Sequence, residues 1–277
     1  MGVAYTFNTK EQIWNLFTWG RGSVPGSGGL GQNDQTDRSS PKQVPGTKWS
    51  AVSQGSNTGH FLASRNDSTL WAWGQNAWGQ LGLTNRSYKS SPEQIPGTTW
   101  AVGVEKIAKG TFLSLAIKTD GTLWTWGRNE FGQLGLSNLT NYSSPKQVPG
   151  TTWRSVWTSH YSSYATKTDG TLWSWGQNAT EQLGLGIPDN NKRSSPVQIG
   201  SDTTWRYARK DLAGGQRGGF AIKTDNTMWG WGRGGYGVLG NNAANDHDSP
   251  IQVLGSKWRQ VAKGRESAAG IQDTELS

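Results

Sequence analysis

The chain has 277 residues, of which 17 are Trp and 39 are Gly, with no Cys and a net charge of +8. The missing Cys excludes disulfides and thiolate metal sites, and no apolar run approaches the ~20 residues of a membrane-spanning helix. Residues 1–6 lack a basic start followed by an apolar run, so no secretory signal is expected; the expected location is a virion or the cytoplasm. Residues 192–265 carry 12 basic and 5 acidic groups. Such a sector suits an acidic partner, nucleic acid included, or forms a solvated rim.

In chain order, Ile13 to Trp19 reads as the fourth strand of a unit whose other strands lie elsewhere. One pattern then recurs. An aromatic-x-Trp-Gly string occupies 17–20, 71–74, 124–127, 173–176 and 229–232. A Ser-Pro pair follows each string, at Pro41, Pro92, Pro145, Pro196 and Pro250, and then a single Trp: Trp49, Trp100, Trp153, Trp205 and Trp258. Trp14, Trp78 and Trp157 alone fall outside the pattern. These landmarks define units of about 20–73, 74–126, 127–175, 176–231 and 232–277, the last completed by 11–19.

Each unit predicts four short strands. In the clearest stretch, Trp100 to Ala108 alternates loosely in polarity, Leu113 to Thr119 is a further run, and Asp120-Gly121 supplies a two-residue hairpin turn. Thr122 to Trp126 follows. Lys146 to Val148, between Pro145 and Pro149, is a short outer strand, where Pro is tolerated. Asp169-Gly170 repeats the turn, and Asp225-Asn226 and Asp67-Ser68 vary it. No helical period is sustained, so almost no helix is expected. Ala269 to Leu276 reads as a third strand and turn that lacks a fourth, which Ile13 to Trp19 would supply. A sheet apolar on both faces must stack on neighbours. The expected fold is therefore all-β: one β-propeller of five blades, each of four antiparallel strands, its ring closed by pairing of the N- and C-terminal strands.

The segment Thr119 to Gly135, with its Trp-Gly-Arg-Asn and Gly-Gln-Leu-Gly elements and the downstream Ser-Pro and Val-Pro-Gly, resembles the repeat of the regulator of chromosome condensation family. The same segment is intact at Trp73–Gly82. Glu181 replaces a Gly in the copy at Trp175–Gly184; Trp231–Gly240 is altered, and the first copy, Arg21 to Gly31, diverges most. The resemblance implies a propeller with binding roles: exchange factors for small GTPases, chromatin binders and a β-lactamase inhibitor. It implies a structural role for His60. Seven units are usual in that family and five are present here. The exchange factor's inserted hairpin wedge has no room between these units, and its nucleosome-binding tail has no counterpart in residues 1–9.

No catalytic motif is found, and neither a cofactor nor a metal is expected. Gly232-x-Gly234-x-x-Gly237 matches a dinucleotide fingerprint, but Gly234 merely replaces the repeat's Asn and no helix follows. Asp246-His247-Asp248 reads as a solvated loop. Binding is expected in loops carried by a rigid scaffold. The variable aromatics Trp78, Phe131 and Tyr236, with Arg128 and Arg233 beside them, would form part of a ring on one face, or cap the blade cores. Trp157, His160 and Tyr161 form a second candidate. The expected function is a non-enzymatic interaction or structural module. The regular Asp-Gly-Thr-Leu-Trp style points to a phage virion protein whose partners are capsid or tail subunits. Alternatives are a carbohydrate-binding lectin, for which glycan would be the partner, and a regulator of a small GTPase. Nucleic acid is a weaker option, and no membrane is expected.

Overall fold

The computed structural model describes residues 14–23, 29–53, 59–187, 189–215, 217–264 and 266–273. Its strands form four complete sheets. The first joins β3 (Trp49–Val52), β4 (His60–Arg65), β5 (Leu70–Gly74) and β6 (Lys89–Ile95). The second joins β7 (Ile107–Lys109), β8 (Leu113–Ile117), β9 (Leu123–Gly127) and β10 (Tyr142–Gln147). The third joins β11 (Trp153–Thr158), β12 (Ser162–Lys167), β13 (Leu172–Gly176) and β14 (Arg193–Gln198). The fourth joins β15 (Leu212–Gly215), β16 (Gly218–Ile222), β17 (Met228–Gly232) and β18 (His247–Gln252). Every pairing is antiparallel. The inner strands β7, β11, β15 and β19 (Trp258–Lys263) pack on one another in succession. Two 3₁₀ turns, Arg209–Asp211 and Gly235–Gly237, are the helical content among the described residues.

Two half-sheets flank these blades: β1 (Phe17–Gly20) with β2 (Arg38–Gln43), and β19 with β20 (Ala268–Gln272). The described residues do not confirm the expected clasp between the chain's two ends. Among the described residues β1 pairs only with β2, and β20 only with β19. Trp19 and Ile271 stay exposed on those edges. Ile13 and residues 274–277, also assigned to that closure, lie outside the described residues.

The sequence unit and the sheet are out of phase by one strand. The Ser-Pro strand of each unit is the rim strand of the preceding sheet, paired to the Trp-Gly strand before it. Pro145 does not bound this strand, as the sequence suggests, but lies inside β10. Its register against β9 shifts between Tyr142 and Lys146, so the missing N–H interrupts no regular ladder. The run Trp100 to Ala108 is also not one strand. Trp100 makes a single bridge to Lys118, a turn closed by Lys106 N to Gly103 O intervenes, and pairing resumes at Ile107.

Sequence dictates the hairpins through side-chain bonds. Asp120 Oδ1 accepts from Thr122 N at 2.9 Å and from Thr122 Oγ1 at 2.7 Å, and that hydroxyl accepts from Trp124 Nε1 at 2.9 Å. The same chain recurs at Asp67-Thr69-Trp71, Asp169-Thr171-Trp173 and Asp225-Thr227-Trp229. The turn Asp residues are thus backbone anchors. A cation covers each of these indoles: Arg65, Lys118, Lys167 and Lys223 lie 3.8–4.2 Å from the ring centroids of Trp71, Trp124, Trp173 and Trp229.

The second Trp of three of the strings joins blades. Trp126 Nε1 donates to Gln80 O at 2.8 Å, Trp175 Nε1 to Gln133 O at 2.9 Å and Trp231 Nε1 to Gln182 O at 3.0 Å. Two of these carbonyls take a second bond from the next blade, Gln80 from Ser114 Oγ and Gln133 from Ser163 Oγ, whereas Gln182 takes its second bond from Tyr164 OH of its own blade. All three indoles are fully buried. A buried acceptor must be satisfied, and here the satisfaction is what aligns adjacent sheets.

Candidate docking ridge across the first three blades

The loops after Gly74, Gly127 and Gly176 are each built by two amides. Asn129 Oδ1 accepts from Leu134 N at 2.9 Å, and its Nδ2 donates to Asn138 O at 2.9 Å; Asn76 and Asn178 repeat this bracing. The Gln of Gly-Gln-Leu-Gly then fixes the variable residue. Gln80 Oε1 accepts from Trp78 N at 2.9 Å and Gln133 Oε1 from Phe131 N at 2.9 Å. The aromatic positions are therefore set by the scaffold.

Each of these aromatics meets the inner hairpin of the next blade. Trp78 lies 6.3 Å from Phe112, and Phe131 lies 4.9 Å from Tyr161, centroid to centroid. Arg128 ties the two pairs together. Its guanidinium is 4.6 Å from the Trp78 centroid and 5.6 Å from those of Phe112 and Tyr161. Glu130 bonds Arg128 at 2.5 Å, and that bond raises the guanidinium pKa further. His160 sits edge-on to Tyr161 at 4.0 Å. Burial first, then the Arg128 charge, hold its pKa below the usual histidine range, which favours the neutral ring. All six side chains are half-buried. Beyond Tyr161 a cleft of about 290 Å³ is lined by His160, Gln177, Thr180 and Arg217.

The structure thus unites Trp78, Arg128, Phe131, His160 and Tyr161, which the sequence offered as two separate candidates. Trp157 does not belong with them. It is wholly buried and stacks on Tyr164 at 5.3 Å with 13° between the planes, so it is core. Tyr236, at 81% exposed, stands apart from the ridge and meets none of its rings. Arg233 bonds through its backbone to Arg217 O, the position equivalent to Phe112 and Tyr161. Sequence reading missed Phe112. Its signal was its place opposite the Trp-Gly turn, where Arg128 N donates to Phe112 O as Gln177 N does to Tyr161 O. His60 is buried and bonded to Ser114 Oγ at 3.2 Å, as a structural residue should be. At Gly234 a side chain would meet Asn245 O at 1.8 Å, so loop packing explains that glycine. Among the described residues no three His, Asp or Glu side chains converge as a metal site would require.

Comparison with known proteins agrees with this architecture. The profile described as "Regulator of chromosome condensation (RCC1) repeat" matches residues 67–117, 120–165, 169–216 and 225–271. The ultraviolet-B receptor UVR8 of Arabidopsis thaliana is 30% identical over 265 residues, 91% of this chain and 56% of that protein. The human E3 ubiquitin-protein ligase HERC2 is 31% identical over 145 residues, 51% of this chain and 3% of that protein. The chain therefore spans about half of the one relative and a small part of the other. Among solved structures, human WBSCR16 superposes with a TM-score of 0.76 at 21% identity, covering 93% of this chain and 67% of that one. Yeast RCC1 (Prp20), solved bound to Kap60, gives 0.76 at 19% identity, covering 94% and 63%. Both likenesses extend over nearly all of this chain and about two thirds of those chains. On the family profile and the blade geometry together, this chain belongs to the regulator of chromosome condensation repeat family.

Proposed function

We propose that the chain is a non-enzymatic docking propeller that binds a protein partner through the ridge formed by Trp78, Phe112, Arg128, Phe131 and Tyr161. The observation that carries this is Arg128, held among three aromatic rings contributed by adjacent blades. Aromatics and Arg concentrated on a rigid, half-buried surface are the composition of interface hot spots. The relatives lend no support to a capsid or tail role, so that expectation is set aside. The lectin alternative needs one free Trp platform per blade, whereas in the four complete blades the repeat indoles are buried or covered by Lys and Arg.

Among partner classes, a small GTPase is favoured. The X-linked retinitis pigmentosa GTPase regulator of the dog is 31% identical over 144 residues, 52% of this chain and 14% of that protein. The Prp20p structure of Saccharomyces cerevisiae was described with its binding properties to Gsp1p and histones. Binding of a panel of nucleotide-free and nucleotide-loaded small GTPases, with release of labelled GDP, tests this reading. Arg128→Gln and Phe131→Ser are expected to weaken binding at least tenfold. A panel with no binder would remove the GTPase assignment. A partner found by any route that binds both variants as tightly as the parent would remove the ridge.

A further inference from the structure

Two cavities adjoin the 3₁₀ turn Arg209–Asp211, on the inner side of the fourth blade. One, of about 390 Å³, is lined by Arg209, Lys210, Gln260 and Lys263, with Leu212 and Val261 as apolar walls. The other, of about 420 Å³, shares Lys210 and adds Arg206 and Arg259. The acids in the second are committed: Asp211 to Arg206 at 3.4 Å, and Asp273 to Arg259. Among the described residues the first has no carboxylate in its lining. Among the described residues no acidic side chain pairs with Arg209, Lys210 or Lys263.

We infer that the cavity lined by Arg209, Lys210, Gln260 and Lys263 binds a multiply charged phosphate-type oxyanion. The physical case is one of uncompensated charge. Burying a cation without a counter-charge is costly, fixed neighbours of like sign add to the cost, and Arg209 has the Leu212 carbonyl, 3.3 Å from its Nη1, but no carboxylate to offset it. Arg209 and Lys210 are adjacent on a tight turn, while Lys263 reaches the cavity from β19 across the blade boundary. Lys263 is anchored there: a Cβ on Gly215 would lie 2.6 Å from its Cε, and its Nζ sits 5.2 Å from the Phe220 centroid. Burial alone lowers the Lys263 pKa to about 8 and lowers that of Arg209, with no acid acting against it in either case. An oxyanion would relieve both.

Convergence on one small cavity selects a compact ligand of high charge density over carboxylates spaced along a peptide. The planar fork of Arg209 matches a phosphate in particular, and the Gln260 amide offers a neutral donor. Among the described residues no aromatic ring lines the cavity, so they offer no platform for a stacked base. The ridge of Arg128 plays no part, and the two proposals stand or fall separately.

The test is calorimetric titration of the full chain with sodium pyrophosphate at low and at moderate ionic strength. Arg209→Gln/Lys210→Gln and Lys263→Met are compared with Arg86→Gln, an exposed control on another blade. Expected is one saturable site, weakened at least tenfold by the double variant and by Lys263→Met, unchanged by the control, and weaker in salt. Circular dichroism establishes that each variant is folded. Absence of saturable binding, or equal loss in the control, overturns the site. A poly-glutamate peptide that binds more tightly than pyrophosphate and is lost in the same variants overturns the phosphate assignment.

Discussion

Gly82 lies against the indole of Trp126 in the next blade: a Cβ built on it would stand 2.8 Å from Nε1. Its φ of +71° is also one that side chains rarely adopt. Gly82→Ala must therefore strain the backbone and displace the ring that joins the blades. Gly200 has a φ of +59° and no atom within 4 Å of the same point. Gly200→Ala is expected to cost about 1 kcal/mol from the backbone alone, and Gly82→Ala about 2–4 kcal/mol. Urea denaturation of both variants measures the difference; equal costs would show that the indole yields freely.

The indole bonds themselves are separable from packing. Trp126 Nε1 has Gln80 O as acceptor, whereas the equivalent Trp73 Nε1 has no partner, and both rings are fully buried. Trp126→Phe should exceed Trp73→Phe in cost by about 1 kcal/mol, the net value of one hydrogen bond. Reversal of that order would remove the bond as an inter-blade tie.

The two predicted contact aromatics Tyr236 and Phe131 should differ in what they do for folding. Tyr236→Ser is expected to change stability by less than about 0.5 kcal/mol, as for surface substitutions generally. Phe131→Ser, which loses a ring contact to Tyr161, should cost about 1 kcal/mol or more. Thermal denaturation of the single variants decides this. A large loss for Tyr236→Ser would mean that its ring supports the fold after all.

Two buried bases give stability a pH dependence in two windows. Burial, aided by the charge of Lys109, holds His60 well below its ordinary 6.5. As pH falls through 6.5 the unfolded chain takes up a proton that the folded chain refuses, so stability falls, by at most about 1.4 kcal/mol per pH unit. Burial lowers Lys109 from 10.5 to about 8. Between those values only the unfolded chain is protonated, so stability also falls as pH drops from 10.5 to 8. His60→Asn should flatten the curve below pH 6.5, and Lys109→Met should flatten the alkaline part. Equilibrium unfolding at a series of pH values measures both; unchanged slopes in either variant would assign the effect to other groups.

The sequence made the strands and turns legible because they rest on local rules. Asp120-Gly121-Thr122 had to turn, and Trp124 and Trp126 had to share a sheet face. The phase of the sheet was less visible, because rim pairing depends on which neighbour Lys146 and Gln147 meet, not on their own types. The end clasp was inferred from strand counting. Strand counting carries no information on the rotation between blades, and that rotation decides whether β1 reaches β20. Trp157 was misjudged as a contact residue because it breaks the repeat pattern, yet its ring fills core space beside Tyr164. Phe112 was overlooked because it lies 34 residues from Trp78 in sequence and only the stacking of blades brings them together.

The one-strand offset between unit and sheet also determines what a break in the chain would do. The connection from Gly176 to Arg193 joins two sequence units, but β13 and β14 on either side of it stay laddered, with Trp173 opposite Gln198. A cut there severs the polypeptide without opening a seam between sheets. Two fragments divided at such a junction would hold each other by a full edge of backbone hydrogen bonds, and could be made apart and then rejoined.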